Sequence, residues 1–197
     1  VVGFQAVKVK RGQRYFWNSG CAAMGYDLPA AIGAALASPG KTAACLSGDG
    51  SLMMNVQELA TVVANNLDLK LVVLNNGGYI SIRQTQNNFF SGRHIGIGPD
   101  SGVVFPDFVK LADSFGIPAF RIEKNEDAES GIRKMLQMSG PVLCEVVLPE
   151  DYIFQPKTSS ERKPDGRMVS KPLEDLYPFL PREEFVKNMI VPPIKED

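Results

Sequence analysis

The sequence predicts an α/β fold with a doubly wound parallel sheet that carries helices on both faces. Short runs of apolar and β-branched residues alternate along the chain with helical patterns, at the spacing of βαβ units. Several of these runs lack polar alternation, as strands covered on both faces do. The 197 residues are 44% apolar and 22% charged with a net charge of −1, which indicates one ordinary globular domain.

Five runs are predicted as strands: 14–17 (RYFW), 42–47 (TAACLS), 69–75 (LKLVVLN), 119–122 (AFRI) and 142–148 (VLCEVVL). Four stretches between them have helical periodicity: 28–38, 55–66, 106–116 and 126–138. Pro29 suits the first turn of the first helix, and Gly116 suits the end of the third. Asn55 and Glu58 are predicted to form a capping box that starts the second helix.

The chain is predicted to have three parts: a lead-in segment at 1–14, a domain at 15–149 and a tail at 150–197. After Pro149 the pattern gives way to a polar stretch with a Pro-rich end, which favours an irregular tail packed over the domain or over a partner. The first residue is Val1, and the chain begins in mid-pattern. We therefore expect a fragment of a longer protein.

Charge, cysteines and hydropathy argue against several classes of protein. A basic cluster occurs in the lead-in segment, but the chain is near neutral, which favours a solvated segment over nucleic-acid binding. Cys21, Cys45 and Cys144 are odd in number and far apart, which argues against a disulfide framework and favours a reducing, cytoplasmic location. No apolar run is long enough to cross a membrane.

Two polar turns follow neighbouring predicted strands. Gly-Asp-Gly, with Asp49 at its centre, follows the strand at 42–47, and Asn-Asn-Gly-Gly, with Asn76 second, ends the strand at 69–75. Because the carboxyl ends of parallel strands lie at one edge of a sheet, Asp49 and Asn76 are expected to meet there. Either turn alone is more often a plain turn former, but the ordered pair, 76 − 49 = 27 residues apart, is a stronger signal.

The residue types in these turns fit a diphosphate bridged by magnesium. The glycines beside Asp49 let the backbone approach a ligand closely, and free amides before a helix attract phosphate. A carboxylate would repel that phosphate unless a cation lay between them. The carboxylate, the amide oxygen of Asn76 and a carbonyl from Gly77–Gly78 would supply oxygen ligands for Mg²⁺.

The stretch SGCAAMGYDLPAAIGAALASPGKTAACLSGDGSLMMNVQELATVVANNLDLKLVVLNN, residues 19–76, resembles the thiamine diphosphate binding signature, which opens with GDG and closes with NN. Residues 11–149 resemble the C-terminal, diphosphate-binding domain of the acetolactate synthase (acetohydroxyacid synthase) group. The resemblance implies the thiamine diphosphate-binding fold and a cofactor that acts as an electron sink when a 2-oxo acid such as pyruvate loses CO₂. It also implies transfer of the two-carbon unit to an acceptor, as in branched-chain amino acid biosynthesis.

The resemblance also implies roles for individual residues. Asp49, Asn76 and the carbonyl of Gly78 would hold Mg²⁺ or another divalent ion. Met24 would be the large apolar residue that wedges the cofactor into its V shape, although a plain core methionine is the alternative. Ala22 would offer its carbonyl to the aminopyrimidine. The other implied cofactor-binding residues are Gly48, Gly50 and Ser51 at the diphosphate, and Ala23, Tyr79 and Ile80.

No catalytic residue is expected in this chain. In the family, the glutamate that activates the aminopyrimidine comes from a separate pyrimidine-binding domain, so the implied partner is such a domain of the same or a second chain in a homo-oligomer, a dimer or tetramer. Glu58 and Glu145 are not substitutes for it. FAD would belong only to missing domains. The implied substrate is a small-molecule 2-oxo acid, and neither nucleic acid nor a membrane is expected.

The acceptor substrate stays open because the chain departs from the family pattern. Thr85 stands where acetohydroxyacid synthases typically have the tryptophan of Gln-Trp-Glu. His94, the only histidine, lies in a loop and is more often a surface residue than a catalytic one at such a position. Two alternatives remain: a separate cofactor-binding subunit of a two-chain 2-oxo acid decarboxylase, and a non-catalytic diphosphate-binding module.

Overall fold

The computed structural model describes residue 3 and residues 6–192. Residues 1, 2, 4 and 5 of the predicted lead-in segment, and residues 193–197 of the predicted tail, lie outside the described residues. The chain divides into two compact units, Val1–Tyr152 and Ile153–Asp197. The three-part division predicted from the sequence stays a proposal.

Four parallel strands form the sheet of the first unit. They are β1 (Ala43–Gly48), β2 (Leu69–Asn75), β3 (Ala119–Ile122) and β4 (Val142–Val147), in the spatial order β1-β2-β4-β3. Four of the five predicted strands are therefore confirmed within one or two residues. After each strand, a helical connection carries the chain back to the end of the sheet at which the next strand begins, as parallel pairing requires. The predicted α/β class with a doubly wound parallel sheet is confirmed.

Helices follow or precede each strand. They are α1 (Asp27–Ala37), α2 (Asp49–Met53), α3 (Leu59–Ala64), α4 (Ile80–Phe89), α5 (Phe108–Ser114) and α6 (Asn125–Gln137), with short 3₁₀ turns at Val56–Glu58 and Pro99–Ser101. The side chain of Asp107 caps α5 by accepting hydrogen bonds from the amides of Val109 and Lys110. Among the described residues, no helix combines the length and the apolar character that a membrane span requires.

The core lies on both faces of the sheet because neighbouring residues of a strand point to opposite sides. On one face, Leu71 and Val73 of β2 pack with residues of α1, α3 and α5. On the other face, Val72 of the same strand packs with Cys144 of β4 and Met135 of α6. Helices on both faces are thus confirmed, and the central strands lack polar alternation for this reason.

Two local predictions are wrong. Residues 14–17 have no regular secondary structure, since an aromatic run with high β propensity forms a strand only where a neighbouring strand pairs with it. Asn55 and Glu58 do not form a capping box: the Asn55 side-chain amide donates to the carbonyl of Gly25, and the Glu58 carboxylate accepts from the Thr61 hydroxyl. The helix predicted at 55–66 corresponds to the 3₁₀ turn at Val56–Glu58 followed by α3, and the separate helix α2, which begins at Asp49, was not predicted.

The second unit has little regular structure, as expected of the tail. Its described residues, 153–192, contain a short antiparallel pair, β5 (Ser160–Arg162) and β6 (Met168–Ser170), and one helix, α7 (Arg182–Asn188). Asp175, which is buried, accepts two hydrogen bonds from the Arg182 guanidinium, at 2.6 and 2.9 Å. This bidentate pair fixes the chain just before α7.

Lys70 is a fully buried cation at the start of β2, and replacing it by methionine should destabilise the fold. Its Nζ donates to Asp68 Oδ1 at 2.6 Å and to the carbonyls of Met138 and Gly140 at 2.5 and 2.6 Å. Lys70→Met leaves those acceptors without their donor, which should lower the free energy of unfolding by about 3 kcal/mol. Urea denaturation measures this change, and an unaltered midpoint would contradict it.

The same substitution should change the acid dependence of stability. The hydrogen bonds from Lys70 and Thr42 lower the pKa of Asp68. A lowered folded-state pKa gives stability that is present above the ordinary aspartate pKa and is lost as the pH falls through the folded value, below about 4. Lys70→Met removes the larger cause, so the stability of this variant should fall less steeply with acid than that of the wild type. Unfolding curves between about pH 2 and pH 5 measure this difference.

Candidate functional site at the carboxyl ends of β1 and β2

The two polar turns meet at one edge of the sheet. Gly48, the last residue of β1, pairs with Leu74 of β2, so both strands end side by side. The carboxylate of Asp49 lies at the start of α2 and accepts a hydrogen bond of 2.9 Å from the amide of Gly78. The structure therefore places the Gly-Asp-Gly turn against the Asn-Asn-Gly-Gly turn, as the sequence predicts.

Asp49 is a buried carboxylate held by backbone amides. The residue is only 2% exposed, and its second carboxylate oxygen accepts from the amide of Gly50 at 2.7 Å. Burial raises the pKa of Asp49, and the amides of Gly50 and Gly78 oppose that shift by stabilising the charged form. A cation beside this carboxylate would offset the remaining cost of burying its charge.

The side-chain oxygen of Asn76 is buried and has no hydrogen-bond partner in the described part of the chain. Buried polar atoms are almost always paired, so an unpaired acceptor at this position fits a ligand for a cation. No group of three or more His, Cys, Asp or Glu side chains among residues 3 and 6–192 could hold a metal ion. A divalent ion at this edge would need oxygens from one carboxylate, one side-chain amide and the backbone.

Two glycines at the site have no room for a side chain. A Cβ atom on Gly78 would lie 2.0 Å from the carbonyl oxygen of Ile97, and the φ angle of Gly78 is +151°. A Cβ atom on Gly50 would lie 2.2 Å from the ring of Tyr79, which also packs edge-on against Phe105. The Tyr79 ring therefore lies directly against Gly50 and the Ile97 carbonyl directly against Gly78, and only glycine fits at these two positions.

The loop that carries Met24 is tied to α2. The amide of Gly25 donates to Ser51 Oγ at 2.9 Å, and the carbonyl of Gly25 accepts from the side chain of Asn55 at 2.6 Å. Met24 itself is 43% exposed. The structure thus brings the segment at 22–25 to the edge that holds Asp49, with Ala22 and Ala23 also exposed and Ile80 buried at the start of α4.

A family model described as "Thiamine pyrophosphate enzyme, C-terminal TPP binding domain" matches residues 1–146. The chain belongs to this family. Thiamine pyrophosphate and thiamine diphosphate are two names for the same cofactor, so the resemblance seen in the sequence is confirmed at the level of the domain.

Relatives of this thiamine pyrophosphate-binding domain include acetolactate synthases. Acetolactate synthase 1, chloroplastic, of Zea mays is 39% identical over 155 residues, which cover 77% of this chain and 24% of the maize protein. Probable acetolactate synthase 2, chloroplastic, of Oryza sativa subsp. japonica is 40% identical over 157 residues, with the same shares of 77% and 24%. The chain therefore spans about a quarter of the length of the curated relatives it matches.

A solved structure shows the same domain fold. The Rhodococcus jostii RHA1 thiamine diphosphate-dependent 4-hydroxybenzoylformate decarboxylase aligns with a TM-score of 0.57 and 31% identity, over 64% of this chain and 23% of that chain. The likeness thus extends to a thiamine diphosphate enzyme whose name describes decarboxylation.

His94 lies in a loop that contacts the turn at Gly78, and its ring is bound on both sides. Its Nδ1 is 3.1 Å from Asp100 Oδ2, and its Nε2 is 2.7 Å from Asn87 Oδ1. The hydrogen bond from His94 lowers the pKa of Asp100. The loop reaches the site through the carbonyl of Ile97, which accepts from the amide of Tyr79. One ring nitrogen contacts Asp100 in the loop and the other contacts Asn87 in α4, which favours a structural role.

Some polar residues near the site escaped the sequence prediction. Glu145 of β4 is 2% exposed and accepts hydrogen bonds from Asn75 and from Arg121. Asp27, at the start of α1, accepts a hydrogen bond from the buried hydroxyl of Ser47, in β1. For Glu145 the sequence did contain a signal, a single acidic residue inside the otherwise apolar strand VLCEVV. A buried charge needs hydrogen-bond partners, so such a residue predicts a polar network around it.

Proposed function

We propose that this domain is the C-terminal cofactor-binding part of an enzyme that decarboxylates a 2-oxo acid such as pyruvate and transfers the two-carbon unit to an acceptor, as acetolactate synthases do. The observation that carries the proposal is the contact of the buried Asp49 carboxylate with the turn at Gly78, in which the buried side-chain oxygen of Asn76 has no hydrogen-bond partner among the described residues. The identity of 39–40% to two acetolactate synthases supports the reaction class.

In the proposed site, Asp49, Asn76 and the carbonyl of Gly78 hold Mg²⁺ or another divalent ion. The residues proposed to hold the diphosphate are Gly48, Gly50 and Ser51. A Cβ atom added to Gly48 would meet nothing within 4 Å, which supports close approach of phosphate oxygens at that residue. When bound, thiamine diphosphate supplies an electron sink for loss of CO₂ from the 2-oxo acid.

The residues around the site would bind and orient the rest of the cofactor. Met24, on a loop tied to α2 by Ser51 and Asn55, is proposed to wedge the cofactor, with Ala22 and Ala23 beside it. Tyr79 packs over Gly50, and Ile80 begins α4; both are proposed to line the cofactor on the other side. The exposure of Met24 is consistent with a surface that a ligand or second domain covers.

The proposed partner is a pyrimidine-binding domain, from the same or a second chain, that supplies the activating glutamate in a homo-oligomer. Tyr26 and Met54 are 42% and 49% exposed beside the site, which supports a covering partner at this edge. The cytoplasmic location stays a prediction; the names of the maize and rice relatives say chloroplastic.

A second candidate is decarboxylation without transfer to a 2-oxo acid acceptor, and the match to a 4-hydroxybenzoylformate decarboxylase favours it. Thr85, which is exposed on α4, departs from the tryptophan of the acetohydroxyacid synthase pattern and leaves the acceptor open. Incubating the full-length protein with thiamine diphosphate, Mg²⁺ and pyruvate separates the two. The proposal predicts acetolactate along with CO₂, whereas CO₂ with an aldehyde would favour the second candidate.

Asn76→Ala should weaken cofactor binding while leaving the stability of the folded protein nearly unchanged. Because Asn76 Oδ1 makes no hydrogen bond within the described residues, its removal should change the stability of the cofactor-free protein by less than about 1 kcal/mol. The affinity for thiamine diphosphate with Mg²⁺ should fall by at least about tenfold, because loss of even an outer-shell partner of a metal costs about 10–100-fold. Thermal unfolding and calorimetric titration measure the two effects. Unchanged affinity would contradict the assignment of Asn76.

A further inference from the structure

Three polar side chains form a continuous network across the carboxyl ends of β2, β4 and β3. Arg121 Nε donates to Glu145 Oε2 at 2.8 Å, and Asn75 Nδ2 donates to Glu145 Oε1 at 2.6 Å. Arg121 and Glu145 are direct neighbours in the β3–β4 register, and Asn75 lies at the end of β2. The guanidinium also contacts Asp107, which caps α5, at 3.2 Å. At the Arg121 end, the network is thus held by strand β3 and by the start of helix α5.

The inner end of the network is the turn that faces Asp49. Asn75 Oδ1 accepts a hydrogen bond of 3.0 Å from the amide of Gly77. The next amide, of Gly78, donates to the Asp49 carboxylate. Asn76, between Asn75 and Gly77, carries the buried side-chain oxygen that has no hydrogen-bond partner in the described part of the chain. Glu145 is therefore linked to the proposed cation site through one side chain, that of Asn75, and one backbone amide.

The direction of every hydrogen bond in this network is fixed by its ends. The Gly77 amide can only donate, so the atom it meets must be the oxygen of the Asn75 side chain, and the Asn75 nitrogen then faces Glu145. The Arg121 guanidinium can also only donate. Glu145 must consequently accept on both oxygens, and only a carboxylate does this. Glutamine of the same shape would turn its own NH₂ group toward one of the two donors.

We infer that Glu145 is a positioning residue for the turn that binds the metal and diphosphate: through Asn75 it fixes the Gly77 amide and so sets the position of the Asn76 and Gly78 oxygens. This inference rests on the proposed function of that turn. It explains why β4 buries a charged residue among apolar neighbours, since a buried carboxylate is retained only where hydrogen bonds satisfy it. The two adjacent asparagines then have different roles: Asn75 orients the turn, and Asn76 faces the ligand.

The test compares two single variants of the full-length protein with their combination. Glu145→Gln places two donors face to face, and Asn75→Asp places two carboxylates face to face. Each should weaken thiamine diphosphate binding in the presence of Mg²⁺ by at least about tenfold, as losses of outer-shell partners do.

The double variant, Asn75→Asp with Glu145→Gln, restores the direction of every hydrogen bond. The new carboxylate at position 75 accepts from the Gly77 amide and from the new side-chain amide at position 145. The oxygen of that side-chain amide accepts from Arg121. The affinity of the double variant should therefore return to within about threefold of the wild type.

Hydrogen–deuterium exchange of the peptide containing Gly77 and Gly78, measured without cofactor, gives a second readout. Exchange should be at least about tenfold faster in each single variant and near the wild-type rate in the double variant. Lys70→Met is the matched control, because it disrupts a buried polar group at the other end of β2. It should lower stability yet leave both affinity and exchange of this peptide unchanged.

The outcomes separate the inference from the proposed function. If the wild type binds no thiamine diphosphate with Mg²⁺, the proposed function fails, and the exchange data still decide whether Glu145 orders the turn. If the wild type binds and the single variants bind equally well, the positioning role is wrong. A double variant as weak as the two singles combined would also overturn it, because that result indicates general loss of structure.

Discussion

Asp49→Ala should abolish magnesium-dependent binding of thiamine diphosphate, with a loss of affinity greater than about a hundredfold. Asp49 is the only carboxylate in the proposed ligand set, and removing an outer-shell partner alone costs about 10–100-fold. The expected loss also follows from electrostatics: without the Asp49 carboxylate, the protein would offer a divalent ion at this buried edge only neutral amide and carbonyl oxygens, and the diphosphate would be its only anionic partner.

The Asp49 substitution needs a companion variant because it also affects folding. Alanine leaves the amides of Gly50 and Gly78 without their acceptor, at a cost of about 1–3 kcal/mol. Asp49→Asn keeps the shape and one acceptor oxygen while removing the charge. Both variants should lose binding in calorimetric titration, whereas Asp113→Ala, on the exposed side of α5, should bind as the wild type does. Wild-type affinity in Asp49→Asn would remove the metal assignment.

Gly78→Ala should damage both the fold and the site. The new Cβ would lie 2.0 Å from the carbonyl oxygen of Ile97, and the backbone at φ +151° is one that alanine rarely adopts. The turn must shift and weaken the hydrogen bond of 2.8 Å between the Tyr79 amide and that carbonyl. We expect a loss of about 2–4 kcal/mol in the free energy of unfolding, together with weaker cofactor binding.

Gly33→Ala is the matched control for Gly78→Ala. Gly33 lies inside α1, and a Cβ atom there would meet nothing within 4 Å. Since glycine in a helix interior is less favourable than alanine, this variant should gain about 0.5–1 kcal/mol. Urea denaturation of both proteins measures the contrast. Equal stability of Gly78→Ala and the wild type would show that the turn tolerates a side chain and that the site is not closely approached.

The sheet could be predicted from the sequence because buried parallel strands have a strong pattern. LKLVVLN and AFRI agree with β2 and β3 residue for residue, since short, mainly apolar runs between turn residues at the spacing of βαβ units favour strands of a parallel sheet. The meeting of Asp49 with the turn at Gly78 followed from the same pattern, because parallel strands end at one edge. The resemblance to the family, and not periodicity, supplied the cofactor.

Other features depend on contacts that no local pattern encodes. RYFW has the residues of a strand, but no strand in the described part of the chain pairs with it. Helix α4 has only one buried residue, Ile80, so its apolar periodicity was too weak to identify. Helix α2 begins at Asp49, within a Gly-rich stretch that favours turns. The Asn75–Glu145–Arg121 network joins residues up to 70 positions apart, which only the register of the sheet brings together.

The magnesium-bridged site can be tested by calorimetric titration of the full-length wild-type protein with thiamine diphosphate, once with Mg²⁺ and once with the divalent ions removed by a chelator. A site built on Asp49 and the Asn76 oxygen predicts binding with Mg²⁺ and its loss without the ion. Equal binding in both titrations, or no binding in either, would contradict a magnesium-bridged diphosphate at this edge of the sheet.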